Sequence, residues 1–66
     1  MNTTELRTMI GQIRLQLMQD NITKEDAKNQ LRNIAWETIT ESSGITLNVM
    51  QNIVNDTLLK IDEGKL

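Results

Sequence analysis

Apolar residues recur at helical intervals through most of the chain. Leu6, Ile10, Ile13 and Leu17 are four, three and four positions apart, which sets them on one face of a helix. Met9 and Met18 widen that stripe. Asn2 or Thr4 can cap its start, and Asn2 with Glu5 has the spacing of a capping box. Asp20-Asn21 closes the element, with Asn21 suited to the left-handed position that follows a helix. Gly11 lies inside the run, where glycine costs about 1 kcal/mol relative to alanine. It marks a close helix crossing, or nothing.

The pattern restarts at Ile22-Thr23-Lys24-Glu25-Asp26. Thr23 is an N-cap with Asp26 three residues on, and acids in the first turn oppose the helix dipole. Ile22 and Ala27 are placed as a hydrophobic staple. Ala27, Leu31, Ile34 and Thr38 then share a face, flanked by Ala35. The link between the two helices is short, so they should pack antiparallel. Ser42-Ser43-Gly44 breaks the pattern again. A third stripe follows, made of Leu47, Met50, Val54, Leu58 and Ile61, with Ile53 and Thr57 at its edge and Gly64 as a stop. The spacing predicts one all-α domain over residues 1–66, with helices near 4–20, 24–42 and 46–62.

Residues 36–55, WETITESSGITLNVMQNIVN, have the pattern of a helix, a tight turn and a second helix. Gly44 sits where the chain must turn, and glycine accepts positive φ without a Cβ clash. Thr46 is placed to cap the following helix. Ile45 can plug the angle, Ser43 is small enough for a crowded contact, and Ile39, Ile45, Met50 and Ile53 have the spacing to join the two helices. This stretch resembles the helix-turn-helix of bacterial transcription regulators, most closely the lactose-repressor type. The resemblance covers about twenty residues. It implies gene regulation as a field of work and a helix-turn-helix-like C-terminal half. Thr40 departs from the family pattern, which prefers Ala at that close contact.

Length changes the picture next. A chain of 66 residues buries only about 60% of its unfolded surface, and a core that size seldom supplies more than ~3–5 kcal/mol. There is no cysteine to add a disulfide, which also fits a reducing compartment. Association is the remaining source of stability, so a homodimer or higher oligomer is expected. No apolar run approaches the ~18 residues that a membrane span needs, and no signal peptide is evident. The expected location is cytoplasmic.

Candidate chemistry is sparse. The chain has no histidine and no cysteine, which removes the usual general base, the thiol nucleophile and the commonest metal ligands. Glu37 and Glu41 stand four apart and could share a cation, but such a pair is ordinarily a solvated helix face. Ser42 and Ser43 have no base near them in sequence. No catalytic residue, metal site, cofactor or small-molecule substrate is expected, and the chain reads as a non-enzyme.

Two binding readings remain. Trp36 is the only aromatic residue; on a helical wheel it points away from the Ala27/Leu31/Thr38 stripe, so either it stays exposed or the third helix folds back and covers it, with Ile39 beside it. With Ile39, Val49 and Leu59, the last two off the main stripe of the third helix, an exposed Trp36 could anchor a protein partner. That partner would be a larger regulatory protein such as a repressor or polymerase subunit. The alternative is direct operator binding. Thr46, Asn48, Gln51, Asn52 and Asn55 form an amide-rich face, and Asn and Gln can pair with adenine in the major groove. Lys28 and Arg32 would then meet phosphates. Charge disfavours this alternative. The net charge is −2, and residues 33–59 hold Glu37, Glu41 and Asp56 but no Lys or Arg, a local −3. DNA binders draw much of their affinity from phosphate contacts.

Overall fold

A computed structural model describes residues 2–66. Three helices follow one another: α1 (Thr3–Met18), α2 (Lys24–Glu41) and α3 (Gly44–Glu63). They are the only regular structure among the described residues, so the all-α expectation holds. Each helix begins where local hydrogen bonding favours it. The Asn2 side chain caps α1 by accepting from the Glu5 N–H at 2.8 Å. At α2 the capping box is complete. The Thr23 hydroxyl accepts from the Asp26 N–H, and the Asp26 carboxylate accepts from the Thr23 N–H, both at 3.1 Å.

The core forms where the three stripes meet. Leu6 and Ile13 come from α1, Ala27, Leu31 and Ile34 from α2, and Met50, Val54 and Ile61 from α3. Ile10, Leu17, Ile22, Ala35, Ile53 and Leu58 pack around them, half-buried. Thr38 and Thr57 are buried too, and each hydroxyl donates to a carbonyl of its own helix, Ala35 and Ile53 respectively. This is how a polar atom enters a small core without leaving a donor unsatisfied.

Helices α2 and α3 lie side by side and antiparallel. Ser42 meets Met50 beside the corner, Gln51 reaches back to Thr38 and Ala35, and Lys28 forms an ion pair with Asp62 toward the far end. Contact therefore runs along the helices and is not confined to the turn. Ser42 and Ser43 are extended, and Gly44 opens α3 at φ +64°.

Four local expectations need correction. α1 ends at Met18 with Gln19 as its C-cap, and Asp20, not Asn21, takes the left-handed conformation at φ +57°, while the Asn21 N–H returns to the Gln16 carbonyl. Ser43, not Thr46, occupies the N-cap position of α3, and it makes no side-chain capping bond. Gly44 itself starts the helix, so Thr46 already lies inside it. Ile45 does not plug the corner but is 82% exposed, since the antiparallel pairing turns it outward. Met18 does not widen the α1 stripe: it is exposed at the helix end.

Asp20 carries two small penalties: a left-handed backbone, and a negative charge at a helix C-terminus with no basic residue in the last turn. Asp20→Asn lessens both and should stabilise the fold by about 0.5–1 kcal/mol at low salt. Urea denaturation checks this; an unchanged or lower midpoint would count against it.

Candidate functional site

Trp36 stands on α2 with 68% of its surface exposed. The third helix does not fold over it. It borders an open groove of about 230 Å³ between α2 and α3, lined also by Arg32, Ala35, Ile39, Val54, Asn55 and Leu58. The groove follows from the helical register. Ala35 is small and lets α3 approach, Val54 and Leu58 face it from α3, and Trp36 and Ile39 rise on the outer lip. Arg32 flanks the indole, held by the Asn29 side chain at 2.9 Å, with Glu25 at 3.8 Å. The surface is apolar at its centre and polar at its rim, the anatomy of a protein-binding patch.

Of the other residues predicted to meet a partner, one shares this groove and two do not. Ile39 lines it with Trp36. Leu59 and Val49 are exposed but are not among its lining residues. On the α3 wheel Leu59 projects with Asn52 and Asn55 on the outer face. Val49 falls in line with Ile45 and Ile53, four residues to either side. Leu58 and Ala35, which do complete the groove, were assigned to core stripes on spacing alone. Their half-burial is the signal, and periodicity cannot show it.

The amide face divides in a similar way. Thr46, Asn48, Asn52 and Asn55 are exposed on α3. Gln51 is not free to read a base. Its Nε2 donates to the Thr38 hydroxyl at 2.6 Å and to the Ala35 carbonyl at 3.2 Å, which ties α3 to α2. Lys28 is engaged by Asp62, and Arg32 lies beside Glu25. Thr40, on the exposed side of α2, returns its hydroxyl to the Glu37 carbonyl.

The two acids paired by spacing do not line the same groove. Glu37 borders an α1–α2 groove with Met9, Gln12, Gln16, Gln30 and Asn33, whereas Glu41 lies by Ser42 and Ser43 at the corner. Among the described residues no group of three potential metal ligands comes together, and no helix is long and apolar enough to cross a membrane. A depression at the α1–α2 turn is lined by Asp20, Thr23, Lys24 and Asp26 together with Leu17, Ile22, Ile61 and Leu66, but Thr23 and Asp26 are committed to the capping box. No family model, curated protein or solved structure matches the chain.

Proposed function

We propose that the protein is a small helical regulator that works by docking on a larger protein through the Trp36 face. The observation that carries this reading is the exposure of the chain's one aromatic residue on the lip of an apolar groove. Aromatic side chains beside desolvated pockets dominate binding energy at protein interfaces. The regulatory setting, with a repressor or polymerase subunit as partner, rests on the resemblance of residues 36–55 alone. Self-association as a homodimer fits the small core and the exposed Ile45, Val49 and Leu59.

Direct operator binding is the second reading, favoured by the exposed Asn48, Asn52 and Asn55. Three observations weigh against it. Gln51 is occupied, Lys28 and Arg32 have acidic neighbours, and α2 and α3 run alongside each other. In a DNA-binding helix-turn-helix the two helices cross at about 90–120°.

Trp36 also supplies the readout. Its emission should be that of a solvent-exposed indole and should move to shorter wavelength when the partner, recovered by cross-linking in the native cell, is added. Trp36→Ala should keep the helix content and weaken that complex about thirtyfold, the equivalent of ~2 kcal/mol. Equal affinity of the variant would overturn the Trp36 reading. Operator binding by the purified protein alone at physiological salt would replace it with the second. Light scattering at micromolar concentration should give at least twice 7.6 kDa; a monomer would remove the dimer from the proposal.

A further inference from the structure

Positive charge is unevenly answered on this surface. Lys28 pairs with Asp62, Arg32 lies near Glu25, and Lys65 pairs with Glu63. Lys24 has no carboxylate partner among the described residues, and neither do Arg7 and Arg14. The two arginines line one open groove of about 480 Å³ between α1 and α3. Lys60 lines it as well, and Asp56, the acid in the lining, is already bonded to Lys60 at 3.1 Å. A chain of net charge −2 thus has two uncompensated guanidinium groups over a single groove.

The floor between them is partly apolar, with Thr57 and Leu66 also in its lining. Ile10 from α1 and Ile53 from α3 line it, both half-buried. Gly11 lies between the two arginines in sequence, and a Cβ placed there would meet nothing within 4 Å. No helix of this chain makes the close crossing that would explain a glycine in mid-helix. The open space at Gly11 instead permits an outside backbone to approach α1 closely. Arg7 and Arg14 are one heptad apart, a rise of about 10.5 Å.

We infer that the α1–α3 groove seats an acidic amphipathic helix of a protein partner. Its apolar residues lie over Ile10, Gly11 and Ile53, and two carboxylates one heptad apart meet Arg7 and Arg14. Guanidinium groups suit this task because their planar fork bonds a carboxylate through two N–H groups. A helix fits because the two charges repeat at its own period and the floor would receive its apolar stripe. Nucleic acid fits less well: its charge is continuous, whereas this groove offers two free cations, a partly apolar floor and Asp56. The inference rests on the reading of the chain as a protein-docking module, but it uses a face separate from Trp36.

The test is a titration of the full isotope-labelled chain, followed by NMR, with two synthetic helical peptides. One carries two glutamates a heptad apart with leucines between them; its twin carries lysines in place of the glutamates. The acidic peptide should shift the amides of Arg7, Gly11, Arg14 and Ile53, and the twin should not. The double variant Arg7→Gln, Arg14→Gln should weaken binding about tenfold or more, and raised salt should weaken it too. Gly11→Leu, whose side chain enters open space, should keep the fold and block the peptide. Trp36→Ala should leave peptide affinity unchanged, so the two faces succeed or fail separately. Absence of shifts, equal binding of the lysine twin or indifference to the arginine changes would overturn the inference. So would inorganic phosphate reproducing the shifts, or a short DNA duplex binding more tightly than the peptide.

Discussion

Leu31→Ala should leave much of the protein unfolded at room temperature. Leu31 is fully buried at the middle of α2, in the core with Leu6, Met50 and Val54. Cutting a buried leucine to alanine removes transfer energy and leaves a cavity, at a cost of about 2–5 kcal/mol. A domain of this size has roughly 3–5 kcal/mol in total. The loss is therefore comparable with the whole stability. At about 4–8 °C per kcal/mol for a small domain, the melting temperature should fall by roughly 10–40 °C. Leu15→Ala is the control, because Leu15 is exposed on α1, away from the proposed dimer contact; it should change stability by no more than about 0.5 kcal/mol. Circular dichroism melts of the pair decide the matter. Similar melts for both variants would mean that the core is not where the stripes place it.

Gly44→Val should destabilise the fold by about 1–3 kcal/mol. The cause is the backbone alone. Gly44 has φ +64°, and a Cβ there would meet no atom within 4 Å. Crowding is thus absent, and the penalty should follow each residue's tolerance of left-handed geometry. Gly44→Asn should cost least, Gly44→Ala more, and Gly44→Val most. Chemical denaturation of the three variants gives the order. A valine variant as stable as the parent would show that the corner relaxes freely.

Much of the helical frame was legible because periodicity and capping agree. Ala27, Leu31, Ile34 and Thr38 were placed together by spacing and all four are buried. Thr23 and Asp26 announced the start of α2 and form the expected box. Gly44 was expected to take positive φ and does. The failures lie where one helix depends on another. A wheel gives the direction of Gln51 from its own axis, but not that Ala35 leaves room for its amide to reach across. Trp36 was undecided for the same reason: whether α3 covers it depends on how the helices pair, which neither stripe contains. Ile45 shows the limit at the corner, since the shift of the cap from Thr46 to Ser43 decides what points inward. Asp20 displaced Asn21 because the left-handed residue is set by where α1 ends, directly after Gln19, and Asp tolerates that conformation, though less well than Asn.

The side-by-side pairing of α2 and α3 also sets an order of events during folding. Contacts beside the corner span few residues: Ser42 and Met50 are eight apart, and Thr38 and Gln51 thirteen. Each later contact, out to Lys28 and Asp62, closes only a slightly longer loop once its neighbour is formed. The entropy of closure is spread over small steps, as in a zipper started at Gly44. Such local topology belongs to chains that fold in microseconds to milliseconds. Helix α1 supplies Leu6 and Ile13 only when a two-helix surface exists to receive them, so it should be the last to gain protection and the first to lose it.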